Sequence, residues 1–206
     1  MNQFNKTTNR ILLKQKALEA VKTLIEFIGD DPNRPGLVDT PSRVVKAWEQ
    51  DWGLGYNEDF LEKQVHSILN GQFEDGAEQA SQLIAVKDIK FTSHCEHHLA
   101  EFSGVAHVAY IPGGEKKVIL GLSKLVRIVD MYSKKLQVQE RLTNQIADFL
   151  QDNCAPLGVG VMLKATHSCM CSRGVKQYQT VAVTSALRGE MLTDPAVRQE
   201  FLDLVR

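Results

Sequence analysis

Apolar residues recur at helical spacing near the start of the chain. Ile11, Leu12, Leu18, Val21, Leu24, Ile25 and Ile28 form a stripe, and Gly29 is placed to end that helix. A loop, DDPNRPG, follows. DTPSRVVKAW then reads as a helix start, with Thr40 as N-cap and Pro41 at the first helical position. A further short helix is expected within 57–69. The polar run NGQFEDGAEQ marks the boundary between an N-terminal helical arm, 1–80, and a main domain, 81–206, that ends in a C-terminal helix.

From Leu83 onward the pattern turns to strands. LIAVKDIKFTS and LAEFSGVAHVAYIP are rich in strand formers, and PGGEKK reads as a turn. SKLVRIVDMYSKKL then presents Leu125, Ile128, Val129 and Tyr132 on one helical face. QVQERLTNQIADFLQDN does the same with Leu142, Ile146, Phe149 and Leu150. Strand character returns in GVGVMLKATHSCMC and VKQYQTVAVTSAL, and a last helix covers about 194–204. The order β-β-α-α-β-β predicts an α+β domain, a four-stranded antiparallel sheet with helices on one face.

Composition narrows the function classes. The 206 residues are 43% hydrophobic and 24% charged, as in an ordinary globular protein. A net charge of −1 supplies no global field for nucleic acid or an acidic membrane, so an anionic ligand must meet local positive charge. No apolar run reaches membrane-spanning length, and MNQFNKTTNR lacks the apolar region of a signal peptide. A cytoplasmic protein with reduced thiols is therefore expected, which turns Cys95, Cys154, Cys169 and Cys171 towards metal binding.

The densest chemistry lies in FTSHCEHHLAEF. Cys95 and His98 have Cys-x-x-His spacing, suited to two ligands of one zinc ion. In the later strand, alternation puts Val159, Val161, Leu163, Ala165, His167 and Cys169 on one face. A closed structural site would add Cys171 as a fourth ligand. Residues two apart on a strand sit ~6.5 Å apart at Cα, whereas two sulfurs on one tetrahedral zinc sit ~3.8 Å apart. Cys171 would have to break the strand to join. Three ligands, Cys95, His98 and Cys169, fit better and leave the open position of a catalytic zinc. His97 and His167 then stand beside the metal as proton carriers. His94 alternates away and reads as structural. Glu96 is either a partner orienting His98 or a solvated acid, and Cys154 is a buried small hydrophobe.

GLSKLVRI places Ser123 at a helix N-cap with Lys124 and Arg127 in the first turn. Cations there oppose the helix dipole, which makes sense if an external anion such as phosphate binds. Arg173 and Arg43 are further candidates, though each alone reads as an ordinary surface cation. Gln139 and Glu140 open the next helix. Glu140 either complements the dipole or accepts two parallel N–H bonds, such as those of guanine N1 and its exocyclic amine; spacing leaves both open.

SHCEHH, GLSKLVRIV, LQVQERLT, ATHSCMCSRG and TPSRV together resemble the GTP cyclohydrolase I family, over about 31–206. The resemblance implies the tunnelling fold (T-fold), with sheets joined into a barrel on oligomerisation. It implies a toroidal homodecamer of two stacked pentamers with active sites at subunit interfaces. The implied reaction converts GTP and water to 7,8-dihydroneopterin triphosphate and formate, the entry to folate or biopterin. Carried over by motif, one zinc per subunit falls on Cys95, His98 and Cys169, and proton transfer on His97 and His167. Guanine contacts fall on Gln139 and Glu140. Ser123, Lys124, Arg127 and Arg173 fall on the ribose and triphosphate site, with Arg43 reaching the triphosphate from the arm. In the implied mechanism water adds at C8 while His167 protonates N7, formate leaves, and the ribose opens with His97 as acid/base relayed through Ser123. The chain departs from the family pattern in a longer PGGEKKVIL hairpin, in Pro35, and in Val181 where a lysine is expected. Competing readings are a same-fold enzyme acting on another pterin or deazapurine, and a non-catalytic assembly protein with four zinc ligands. Loss of metal would leave Cys95 and Cys169 able to form a disulfide.

Overall fold

In the computed structural model, which describes residues 3–73, 82–113 and 119–206, the chain divides into two compact units, Met1–Leu54 and Gly55–Arg206. The first holds α1 (Gln3–Phe27), α2 (Thr40–Ala47) and a π-helical turn, Trp48–Trp52. Gly29 takes φ +92°, and the N–H groups of Gly29 and Asp30 return to the carbonyls of Glu26 and Ile25. That left-handed position suits glycine and closes α1 where the sequence placed its end. The start of α2 differs by one residue from expectation: the N-cap is Asp39, with Thr40 already helical. The Asp39 carboxylate pairs with Arg43 at 2.9 Å rather than capping the helix.

The second unit begins with a short turn and α3 (Glu58–Leu69), whose cap residue Asn57 accepts from the Phe60 N–H at 3.0 Å. Ile68 is fully buried in the main core, so α3 packs with the sheet although the sequence grouped it with the arm. The boundary expected at residue 80 lies outside the described residues, as does most of the PGGEKK turn.

β1 (Gln72–Phe73) pairs antiparallel with β4 (Ile119–Leu120) as a separate two-residue ladder. The main sheet contains β2 (Ile84–Cys95), β3 (Ala100–Ile111), β5 (Leu136–Gln137), β6 (Gly158–His167) and β7 (Ala182–Gly189) in the order β5-β2-β3-β6-β7. The four long strands are antiparallel neighbours. β5 adds a parallel edge, pairing Leu136 with His94 and Gln137 with Cys95, so the sheet is mixed rather than purely antiparallel.

α4 (Leu122–Ser133) and α5 (Gln139–Cys154) bury Leu125, Ile128, Val129, Leu142, Ile146 and Leu150 against one face. Alternation along β3 sends Ala106, Val108 and Tyr110 into that core, and Ala109 and Ile111 into a second one. The second core is completed by Met191 of α7 (Glu190–Thr193), Phe201 of α8 (Pro195–Leu204) and Val205. Helices therefore cover both faces, correcting the one-face expectation; the C-terminal helix takes the opposite side.

The strand expected to run through Cys171 ends at His167, and the chain coils into α6 (Ser168–Cys171). Pairing with β7 stops at Ala165 and pairing with β3 at His167. An extended chain beyond would leave its N–H and C=O groups unpaired; the helical turn satisfies one pair through Ser172 N–H to Ser168 O at 2.9 Å.

Gly104 sits opposite Ala165 of β6. A Cβ there would lie 1.9 Å from the Lys164 carbonyl oxygen, a backbone atom. Gly104→Ala is expected to destabilise the protein by about 1–3 kcal/mol through forced strand displacement, read as a lowered denaturation midpoint; an unchanged midpoint would show that the sheet opens freely at this point.

Candidate metal and active site

Two registers of β3 set the site. Cys95 at the end of β2 pairs with Ala100, across the turn that carries Glu96, His97, His98 and Leu99. Leu99 takes φ +52°, and the Cys95 carbonyl accepts from the N–H groups of His98 and Leu99 at 3.2 and 2.9 Å. Two residues into β3, Phe102 pairs with His167 at the end of β6. The turn and the β6–α6 junction thus meet at one end of the sheet.

There the Sγ atoms of Cys95 and Cys169 and a ring nitrogen of His98 lie within 4.8 Å of one another. His98 Nδ1 is 3.8 Å from Cys95 Sγ. Burial, and then the neighbouring Cys95 sulfur, push the Cys169 thiol pKa up. Two soft sulfurs and an imidazole facing one another suit a divalent zinc ion, which would turn their mutual repulsion into attraction. Cys169 reaches this group from the helical turn α6, not from strand alternation as expected. Cys171, in the same turn, donates its S–H to the Gln177 carbonyl at 3.2 Å. The break in the strand that could have recruited Cys171 thus leaves its sulfur bonded to the following loop.

His97 is exposed, with Nδ1 3.7 Å from Cys95 Sγ and its ring edge-on to that of His98. His167 is half-buried and stacks on Phe102, with ring centroids 4.5 Å apart and planes 2° from parallel. Burial lowers its pKa, and the nearby Glu140 carboxylate opposes that shift. Its Nε2 lies 2.9 Å from Oε1 of Gln139. Gln139 is 2% exposed, and its amide nitrogen faces Leu163 O, Ala182 O and Thr184 Oγ1 at 3.0–3.2 Å. The Gln139 side chain therefore faces the protein interior, whereas Glu140 is exposed at the same helix start.

Glu96 is neither a partner of His98 nor a free acid. Its two oxygens accept from Arg141 of α5 at 2.5 and 3.1 Å, which holds its carboxyl below the usual range. This two-pronged pair ties the histidine turn to the α5 start. Arg141 and Phe102 were missed in the sequence. A cation in the first turn of a helix was a usable signal for Arg141, the same dipole anomaly that drew attention to Lys124. Nothing in the sequence pattern singled out Phe102.

The remaining cations are distributed. The α4 N-cap is Gly121, so Ser123 stands inside the first turn rather than at the cap, and it is exposed. Lys124 Nζ donates to Ser67 Oγ at 3.3 Å and Arg127 to Gln64 Oε1 at 3.2 Å, both on α3. α4 ends beside β5, which pairs with Cys95, while its start follows β4. Its 12 residues span about 18 Å at ~1.5 Å per residue. Within one chain Ser123 and Lys124 are therefore held in the first turn of α4, towards its far end from the Cys95 group, and Arg127 stands in the second turn, near the middle of the helix, rather than in the first turn as expected. Arg173 is exposed, and its charge acts on the Cys169 thiol. Arg43 lies in the first unit, paired with Asp39.

The chain matches the family model for GTP cyclohydrolase I over residues 17–206. A GTP cyclohydrolase 1 of Janthinobacterium sp. (strain Marseille) is 50% identical over 185 residues, covering 90% of this chain and 88% of that protein. One of Leptospira biflexa is 47% identical over 186 residues, covering 90% and 96%. One of Mycobacterium marinum is 46% identical over 199 residues, covering 97% and 94%.

Cys171→Ser is expected to keep one zinc per chain in metal analysis after dialysis, whereas Cys95→Ser and Cys169→Ser lose it. Zinc loss in Cys171→Ser equal to that in Cys169→Ser would show a fourth protein ligand.

Proposed function

The chain belongs to the GTP cyclohydrolase I family, and from that premise we propose that this enzyme hydrolyses and rearranges GTP to 7,8-dihydroneopterin triphosphate and formate, opening tetrahydrofolate or pterin biosynthesis. The observation that carries the proposal is the convergence of Cys95, His98 and Cys169, with His97 and His167 beside them. Zinc held by Cys95, His98 and Cys169 would supply activation of water and polarisation of the formyl carbonyl.

The chain's own residues divide the rest of the work. His167 exchanges a proton with N7 of the purine imidazole as water adds at C8. Glu140 accepts from guanine N1–H and the exocyclic amine, a pair adenine does not offer; its exposure at the α5 start leaves it free to do so. His97, exposed on the turn, is the acid/base for opening the ribose, with Ser123 as relay. Triphosphate is gripped by Lys124, Arg127 and Arg173. That binding is remote from the reacting atoms and supplies positioning energy.

The separation between the two ends of α4 supports a site shared between copies. Ser123, Lys124 and Arg127 serve a neighbouring chain's Cys95 group in a homo-oligomer, read as a toroidal decamer. The long strands, within 81–206, are read as a T-fold catalytic unit that continues into a barrel through its sheet edges. Among the described residues no strand pairs with the outer edge of β7, and β5 covers only two residues of β2 at the other edge.

Zinc-loaded protein given GTP is expected to release formate and form a pterin chromophore, and a chelator stops both. His167→Ala lowers kcat by roughly 100-fold or more with zinc retained. Co-expressed Cys169→Ser and Lys124→Ala chains, each inactive alone, regain part of the activity in mixed oligomers. Full turnover in metal-free protein would contradict the reaction, and inactive mixed oligomers would contradict the shared site.

A further inference from the structure

Gln139 is buried, and its surroundings dictate which end of its amide points where. The Leu163 and Ala182 carbonyls can only accept hydrogen bonds, and both face the same terminal atom of the side chain, at 3.2 and 3.0 Å. That atom must be the NH2 group. A ring of hydroxyl bonds agrees. Thr143 Oγ1 donates to the Gln139 backbone carbonyl at 2.7 Å, so its oxygen is left to accept from Thr184 Oγ1 at 2.6 Å. Thr184 in turn has lone pairs for the Gln139 amide at 3.1 Å. Reversing the amide would set an oxygen against two carbonyl oxygens in a buried place, and each unmade bond there is costly.

With the NH2 end so committed, the carbonyl end, Oε1, is what lies 2.9 Å from His167 Nε2. An amide oxygen has only lone pairs to offer, so Nε2 must carry a hydrogen. Phe102, stacked flat on the ring, fixes its plane but makes no bond in it. Among the described residues no group hydrogen-bonds Nδ1.

We propose that Gln139 is a positioning residue that fixes His167 in the Nε2-protonated tautomer and makes Nδ1 the atom that exchanges protons with the substrate. The inference rests on the reaction proposed above. Nδ1 of the neutral ring first takes a proton from the water that adds at C8. When His167 then acts as acid, that proton passes from Nδ1 of the imidazolium to the purine nitrogen, and the electron pair of the N–H bond stays on Nδ1. Nε2–H remains on Gln139 throughout. When His167 acts as base, Nδ1 takes a proton back. The ring need not rotate between the two, because both acts use one nitrogen.

This assignment differs from a guanine contact by the Gln139 side chain, and the two predict different kinetics. A guanine contact acts on binding and changes KM. A residue that sets a tautomer acts on the proton-transfer step and changes kcat.

The test is nitrogen-15 NMR of zinc-loaded protein labelled at histidine, with His167 assigned by its absence in His167→Asn, under conditions where the ring is neutral. His167 is expected to show a protonated, pyrrole-type signal at Nε2 and a pyridine-type signal at Nδ1. In Gln139→Met, of similar length but without the carbonyl, the preference is lost and both tautomers are populated. Its kcat falls roughly 10-fold or more, a general acid–base effect, while KM for GTP changes little. A pyrrole-type Nδ1 in the unaltered protein overturns the proposal even if Gln139→Met does not fold. An unchanged tautomer in a folded Gln139→Met overturns it as well, as does a raised KM with unchanged kcat. Failure of the GTP reaction reads separately, because the tautomer is observed without substrate.

Discussion

The site depends on β3 pairing in register with two strands at once. Its first residue, Ala100, lies opposite Cys95 of β2, and two residues on, Phe102 lies opposite His167 of β6. The turn bearing His97 and His98 and the turn bearing Cys169 are brought together by that double pairing. A slip of one residue in either ladder would send every side chain of the slipped strand to the opposite face. The buried alternation of Val108 and Tyr110 against Ala109 and Ile111, which face different cores, makes such a slip costly.

Around that junction the polar groups are tied down one by one. Glu96 is gripped by Arg141, so the histidine turn is fastened to α5. Gln139, at the first position of the same helix, is fastened to β6 and β7 and holds His167. The Gln139 end of this network is buried, so a displacement there breaks bonds with no water to replace them, whereas the Glu96–Arg141 pair is exposed. α5 therefore works as a strut: its inner face builds the core, and its first turn places Gln139, Glu140 and Arg141 against three parts of the site.

The apolar periodicity was enough to locate α4, α5 and α8 and the long strands, because each buries a regular stripe or alternates cleanly. It missed β5 and the packing of the C-terminal helix on the second face, since two-residue pairings and face choice depend on tertiary contacts. Cys95, His98 and Cys169, the group that could hold a metal, were legible as a set because thiol and imidazole chemistry restricts what such a cluster can do. Cys169 was identified by an argument from strand alternation that the fold does not follow; α6 delivers the sulfur instead. Gln139 was noticed for its place at a helix start, yet its partners lie on β6 and β7, and no local pattern announces them. Of the two cations expected in the first turn of α4, Lys124 stands there and Arg127 lies one turn on, and their place relative to Cys95 follows from the direction in which α4 runs.

X-ray absorption at the zinc edge tests the central claim most directly, because it counts ligand types around the ion itself. The account predicts two sulfurs, one imidazole nitrogen and one light, exchangeable oxygen neighbour. Three sulfurs, or four protein ligands with no exchangeable neighbour, would contradict it.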